Sequence, residues 1–378
     1  MVLFLHNRYR TTGGEERAVE DLMWLVREHL GEPAELLARD SEATGRARAA
    51  VGLLRGGLEP DDVRRAVRLG GARVVHAHNL HPTLGWRALA AARGAGARVV
   101  LHLHQYRLVC AIGVCFTRGA DCTRCHGRDT LPGVRLNCRG SVPEALAYGA
   151  SLALWQRRLV DQADAVIVPS VFAGRRLREL GAPLQDARVH VLPPPVRITG
   201  STGSAGATGA YALVVSRLAV EKGVDVAIDA CRLAGMPLVI AGDGPERDAL
   251  GERGRGSDVR FLGGVDGARL AELRAGAAVA LAPSRSAETF GLAAAEAMAA
   301  GLPVAASRVG ALPELVEEEG LVPAGDAEAL AGAIERLAGD AAAGGRGRER
   351  VRALCAPEAV SEALGAIYDG SSPRAPTT

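Results

Sequence analysis

Short apolar runs rich in Val, Leu and Ala alternate along this chain with longer amphipathic stretches. That is the pattern of parallel sheets wrapped by helices. In the first half the runs predict strands at Val2–His6, Arg73–Ala77, Arg98–Leu103, Ala165–Val168 and Val189–Leu192, with helices at Glu15–Leu30, Pro82–Arg93, Pro143–Asp161 and Val171–Leu180. Pro193-Pro194-Pro195 then stops the last strand, and Thr199 to Gly209 is a Gly/Ser/Thr/Ala tract. Such a tract cannot bury a core and reads as an interdomain linker.

The same rhythm restarts after it. Strands are predicted at Tyr211–Val215, Leu238–Ala241, Val259–Leu262, Val279–Ala282 and Val304–Ala306. Helices are predicted at Gly223–Leu233, Pro245–Gly251, Gly267–Arg274, Thr289–Ala300, Ala327–Ala338 and Pro357–Tyr368. The domains expected are therefore 1–195, with a loop of little periodicity at 106–140, and 210–356, joined by a linker at 196–209 and followed by a closing helix and tail at 357–378. Two doubly wound domains predict a cleft between the carboxyl ends of two parallel sheets, where such architectures bind ligands.

Composition narrows the class. At 378 residues the chain exceeds one ordinary domain. No run of about 18 uncharged apolar residues occurs, so no transmembrane helix is expected. Residues 1–6 begin as a strand without a basic n-region or cleavage site, so a cytoplasmic location without signal peptide is expected. The net charge of +2 hides an asymmetry: 27 arginines face 19 acidic residues through Pro195, and 18 basic face 24 acidic residues after it. A basic first half suits peripheral contact with an anionic membrane surface or an anionic acceptor, and equally simple solubility. It lacks the clustering with interleaved aromatics that nucleic-acid binding calls for.

Of the 45 basic side chains, Lys222 alone is lysine. It sits in Ser216-Arg217-Leu218-Ala219-Val220-Glu221-Lys222-Gly223, after a predicted strand and before a predicted helix. A loop of that kind is suited to phosphate, and a compact ammonium differs there from a guanidinium fork. Gly13-Gly14-Glu15-Glu16 likewise opens a helix after the first strand, where paired glycines let a ligand approach the backbone. A glycine turn between strand and helix is also common without any ligand. Ala241-Gly242-Asp243-Gly244-Pro245 reads as a structural turn with Asp243 capping the next helix. Glu288-Thr289-Phe290-Gly291-Leu292-Ala293-Ala294-Ala295-Glu296 places two carboxylates about two turns apart, facing one way in an otherwise apolar segment. The amides of Phe290, Gly291 and Leu292 lie at a helix start suited to phosphate.

The order Arg217…Lys222, Ala241–Pro245, Glu288…Glu296, Gly301-Leu302-Pro303-Val304 and Gly310-Ala311-Leu312-Pro313-Glu314 resembles the family 4 glycosyltransferases of the GT-B fold. The resemblance covers nearly the full chain, because Gly13-Gly14 and His78-Asn79 also fall where that family has them. It implies two Rossmann-like doubly wound domains facing across a cleft, and retaining transfer of a sugar from a nucleotide-diphosphate sugar to an acceptor hydroxyl. Arg217 and Lys222 would bind the donor diphosphate, Glu288 the donor sugar and Glu296 the ribose. Fixed cations and helix-start amides aimed at the departing diphosphate lower the barrier without a catalytic metal.

The segment Leu101-His102-Leu103-His104-Gln105-Tyr106-Arg107-Leu108-Val109-Cys110 resembles a family stretch that makes His104 the active-site histidine. Gln105 stands where the family has Asp or Asn. His102, two residues back, falls on the same strand face and reads as a histidine satisfied inside the sheet.

Five cysteines crowd into Cys110, Cys115, Cys122, Cys125 and Cys138, and Cys122-Thr123-Arg124-Cys125 has metal-knuckle spacing. A subset of the family has cysteines matching 110, 122, 125 and 138. A structural zinc on those four, disulfide pairing and free thiols all remain open from the spacing. Acceptors could be a sugar, a glycolipid or a small natural product. Alternatives to transfer are a nucleotide-sugar epimerase on the same fold and a non-catalytic nucleotide-binding module. The absence of Gly-x-Gly-x-x-Gly from either half disfavours a pyridine-dinucleotide dehydrogenase.

Overall fold

A computed structural model of the chain describes residues 1–9, 14–197 and 209–371. Gly13, linker residues 198–208 and tail residues 372–378 lie outside the described residues. In chain order the first strands are β1 (Val2–Arg8), β2 (Ala34–Asp40), β3 (Val74–Ala77), β4 (Arg98–His102), β5 (Phe116–Thr117), β6 (Ala120–Asp121), β7 (Ala165–Val168) and β8 (Val189–Val191). The remainder are β9 (Tyr211–Val215), β10 (Leu238–Ala241), β11 (Val259–Gly263), β12 (Ala277–Ala282), β13 (Val304–Ser307) and β14 (Leu321–Val322). The described residues form two compact units, one drawn from 1–115, 122–195 and 357–371, the other from 116–121 and 196–356.

Each unit is built on a six-stranded sheet, in the orders β2-β1-β3-β4-β7-β8 and β11-β10-β9-β12-β13-β14. Every pairing in both sheets is parallel. Helices cover both faces, so β3, β7, β10 and β13 are buried at every position, and β7 and β10 read as unbroken apolar runs. In the first unit Leu5, Val75, Val99 and Val166 point into one core, while Phe4, Val74, Val100 and Ile167 point into another on the opposite face. The helix Pro357–Asp369 buries Val360, Leu364, Ile367 and Tyr368 in that second core, which makes it part of the first unit.

Several elements depart from the sequence-based expectation, among them β5, β6, β14 and the short helices Leu131–Arg135 and Leu312–Leu315, and two longer regions stand out. The stretch from Gly31 to Ala72, where no element is expected, holds β2 and the helices Arg46–Arg55 and Pro60–Gly70. β2 is an edge strand carrying Glu35, Arg39 and Asp40, so it presents no continuous apolar run. The helix Ala341–Cys355 is also unexpected, because Gly344, Gly345 and Gly347 lower its intrinsic propensity. A Cβ on Gly344 would stand 2.0 Å from the Gly301 carbonyl oxygen, so the glycine permits a close backbone approach that propensity does not register.

Candidate functional site

The second sheet has the strand order in which ligands meet the crevice where the order reverses, here between β9 and β12. The loops leaving those two strands carry the cations and the first carboxylate singled out in the sequence. After β9 the chain makes a 3-10 turn, Val220–Lys222, closed by Gly223 at φ 63°. A Cβ there would lie 2.1 Å from the Pro283 carbonyl oxygen, so glycine alone lets the two loops close on each other. The Glu221 carbonyl accepts from the amides of Arg285 at 2.8 Å and Ser286 at 3.2 Å. Arg285 grips Asp225 through two 2.6 Å hydrogen bonds, bracing the start of the following helix.

This bracing brings Lys222 Nζ to 2.6 Å from Glu288 Oε1, and Ser284 Oγ donates to the same oxygen at 2.6 Å. Burial works to raise the Glu288 carboxyl, but the Lys222 ammonium and the two hydrogen bonds outweigh it and hold the group below the usual carboxylate range. Lys222 stays 27% exposed, enough for a ligand to reach it. Arg217 pairs with Glu221 and is about half exposed.

Phe290 is buried in the core, Gly291 precedes the helix at φ 100°, and the helix runs from Leu292 to Ala299. The helix therefore starts later than Thr289. Its first amides have no intrahelical acceptor. Glu296 pairs with Arg274, so the two glutamates engage different cations. Asp243 also differs from expectation: its Oδ1 accepts from the adjacent Gly244 amide at 2.7 Å, and the next helix begins only at Arg247. Ser284, Arg285 and Arg274 are the site-shaping residues that sequence reasoning missed. Two of them are arginines in an arginine-filled chain, where residue type carries no signal.

In the first unit, histidines gather on one face of β1, β3 and β4 near their carboxyl ends. His104 lies just past β4, and its Nε2 is 2.8 Å from His78 Nδ1. The partner that the departure at Gln105 left open is thus supplied by the neighbouring strand. Gln105 instead donates to Tyr9 Oη at 3.1 Å and Glu15 Oε2 at 2.9 Å, and accepts from Arg107 at 3.0 Å. Glu15 is buried one residue after Gly14, which starts its helix, and also accepts from Tyr9 Oη at 2.8 Å. A pocket is lined by Tyr9, Glu15, His78, His102, His104 and Arg107. His102 is buried and lies 3.3 Å from His76 Nε2, satisfied within the sheet as its position suggests.

Burial lowers the imidazoles of His76 and His81 to about 3, and lowers His78, His102 and His104 as well. These rings are neutral at pH 7, so His104 can exchange hydrogen bonds there without carrying a fixed charge. Between the ordinary value of 6.5 and about 3 the unfolded chain binds more protons than the folded one, so stability rises with pH in that window. Each such ring contributes a slope of up to about 1.4 kcal/mol per pH unit. Urea unfolding should show markedly lower stability at pH 5 than at pH 7; equal stability at both would contradict neutral burial of these rings.

The profile of the glycosyl transferase 4-like domain matches residues 8–195, and that of the group 1 glycosyl transferases matches residues 209–340. The chain belongs to the family 4 glycosyltransferases. The enzyme is 42% identical over 128 residues, 32% of this chain and 33% of the relative, to a GDP-mannose-dependent alpha-(1-6)-phosphatidylinositol dimannoside mannosyltransferase of Mycobacterium tuberculosis. That match spans about a third of the relative's length. It is 32% identical over 257 residues, 59% of this chain and 60% of the relative, to a D-inositol 3-phosphate glycosyltransferase of Mycobacterium avium. Among solved structures, sucrose-phosphate synthase from Thermosynechococcus elongatus matches with a TM-score of 0.69 at 21% identity, covering 98% of each chain. HepE of Anabaena, crystallised with UDP, matches with a TM-score of 0.65 at 18% identity, covering 98% of this chain and 100% of that one. These likenesses give the enzyme the GT-B fold. Among the described residues no helix is long and apolar enough to cross a membrane.

No disulfide joins any of the seven cysteines of the glycosyltransferase, all of which lie among the described residues. Cys110 is hydrogen-bonded with Cys115, which lowers its thiol to about 6 against the effect of burial. Burial pushes Cys125 up to about 11, and neighbouring Cys110, Cys122 and Cys138 add to the rise. Among the described residues no three cysteine sulfurs lie within 4.8 Å of one another. A closed tetrahedral zinc needs sulfurs about 3.8 Å apart. The arrangement of Cys110, Cys122, Cys125 and Cys138 therefore does not by itself fit the zinc expected on them.

Proposed function

We propose that the enzyme transfers a sugar, with retention of anomeric configuration, from a nucleotide-diphosphate sugar to an acceptor hydroxyl. The observation that carries this reading is the Lys222–Glu288–Ser284 cluster at the point where the strand order of the second sheet reverses. On this reading Lys222 and the exposed Arg217 receive the departing diphosphate, together with the first amides of the helix after Phe290, Gly291 and Leu292. Charge develops on that diphosphate as the sugar–phosphate bond breaks, so fixed cations act more strongly in the transition state than in the ground state. Glu288 would hold the donor sugar and Glu296 the ribose. In the first unit, His104 and the pocket beside it would receive the acceptor, and the sequence reading of Gly13 and Gly14 as donor-binding stays part of this proposal.

Relatives that use GDP-mannose or act on inositol phosphates put such donors and acceptors first in any test. A glycolipid acceptor would add peripheral contact between the basic first half and an anionic membrane surface. The test is thermal unfolding against a panel of GDP-, UDP- and ADP-sugars, followed by product analysis with inositol phosphate, sugar and lipid acceptors. The true donor at a hundred times its Kd should stabilise the fold by about 2.7 kcal/mol. Stabilisation by none of them would overturn the proposal, and formation of an epimeric sugar from the donor without any acceptor would replace transfer by epimerisation.

A further inference from the structure

His76, His78 and His102 each offer a ring nitrogen, and the three nitrogens lie within 4.8 Å of one another. No other trio of His, Cys, Asp or Glu among the described residues does so. Four observations point the cluster toward a ligand. Tetrahedral bonds of about 2.0–2.1 Å to imidazole place the nitrogens about 3.3–3.4 Å apart, and His76 Nε2 and His102 Nδ1 are 3.3 Å apart. The outer nitrogens of two rings are already engaged, His76 Nδ1 with Tyr368 Oη at 2.7 Å and His78 Nδ1 with His104 Nε2 at 2.8 Å. Metal-bound histidines use their second nitrogen in this way. His78 Nε2 is buried with no hydrogen-bond partner. Finally, His78 and His102 both line the pocket beside His104, which gives an ion a route in and a fourth ligand a place to bind.

The unpartnered nitrogen also settles a tautomer. An N–H buried there without an acceptor costs about 1–3 kcal/mol, so Nε2 of His78 carries a lone pair and its proton sits on Nδ1, donated to His104. The contact between His76 and His102 holds one proton. With the proton on His76 Nε2, a shift to His76 Nδ1, where Tyr368 Oη can accept it, frees both facing nitrogens without releasing a proton; with it on His102 Nδ1, a shift to His102 Nε2 does the same. Three neutral imidazoles suit Zn²⁺, Co²⁺, Ni²⁺ or Cu²⁺ rather than Mg²⁺ or Ca²⁺, which favour oxygen.

We infer that His76, His78 and His102 bind one divalent transition-metal ion of the zinc class, with a fourth position open to the pocket beside His104. The inference does not depend on the donor assignment, because it involves the first unit alone. Its consequence for the enzyme is local: a metal on His78 Nε2 makes the opposite N–H more acidic and tightens its hydrogen bond to His104.

The probe is cobalt(II), titrated into full-length protein stripped with a chelator. One equivalent should give visible d–d bands without the near-ultraviolet charge-transfer band of cobalt–thiolate. The bands should persist in Cys122→Ser/Cys125→Ser and disappear in His102→Leu. Tyr368→Phe, which removes only the outer partner of His76, should weaken binding by about 10-fold. Should His102→Leu lose its circular dichroism, X-ray absorption of cobalt-loaded wild type decides, with a nitrogen and oxygen shell supporting the site and sulfur overturning it. Absence of visible bands at one equivalent, or bands that depend on the cysteines, also overturns it.

Discussion

Lys222→Ala lowers turnover by at least ~100-fold, the scale for losing one contact to charge that develops in the transition state. The structure adds a second consequence. With the ammonium gone, the Ser284 hydroxyl is left as the hydrogen-bond donor on Glu288 Oε1, and burial then dominates the protonation of the carboxyl. Its carboxyl, held low in the wild type, rises, so the acid limb of the residual activity moves to higher pH. Lys222→Arg recovers little, because a planar fork cannot take the place of a point charge seated 2.6 Å from one carboxylate oxygen. Steady-state kinetics from pH 5 to 9 check both effects. Near-wild-type turnover in Lys222→Arg, or a loss below about tenfold in Lys222→Ala, would remove Lys222 from the machinery of transfer.

Gly223→Ala is expected to damage stability and turnover together. The left-handed backbone at φ 63° costs a side chain about 1–3 kcal/mol. The new Cβ also meets the Pro283 carbonyl oxygen at 2.1 Å, and backbone cannot yield as a side-chain tip can. Relief requires the Val220–Lys222 turn to move away from the loop after β12, which pulls Lys222 off Glu288. Asparagine tolerates the left-handed region better than alanine but carries the same Cβ. Gly223→Asn should therefore remain impaired, separating the contact from the strain. The check is urea unfolding alongside turnover and donor KM; an alanine variant unchanged in both would mean that the two loops do not need to close.

Much of the fold was legible in the chain because buried parallel strands leave uninterrupted apolar runs. Tyr211–Val215, Leu238–Ala241 and Ala165–Val168 were readable to the residue, being short, uncharged and flanked by turns. β2 escaped because an edge strand needs no apolar run, and Ala341–Cys355 because its glycines serve packing against Gly301 rather than helix propensity. At the site, the loop residues Lys222 and Glu288 stood out by type and position. Their direct contact did not, since 66 residues separate them in sequence. Arg274 and Arg285 were hidden among 44 arginines, and only folding sets them against Glu296 and Asp225.

By itself, then, the sequence determined the class of fold, the candidate loops and the single lysine among them, because these follow from local periodicity and residue type. Tertiary structure alone decided which charges meet. It paired Lys222 with Glu288, gave Glu296 a different cation and gave His104 a partner in His78. It also assembled His76, His78 and His102, since the parallel register sets His76 opposite Val100 and so brings the next histidines on the two strands side by side. Strand register and loop closure are set by packing between segments distant in sequence, and no local pattern encodes them.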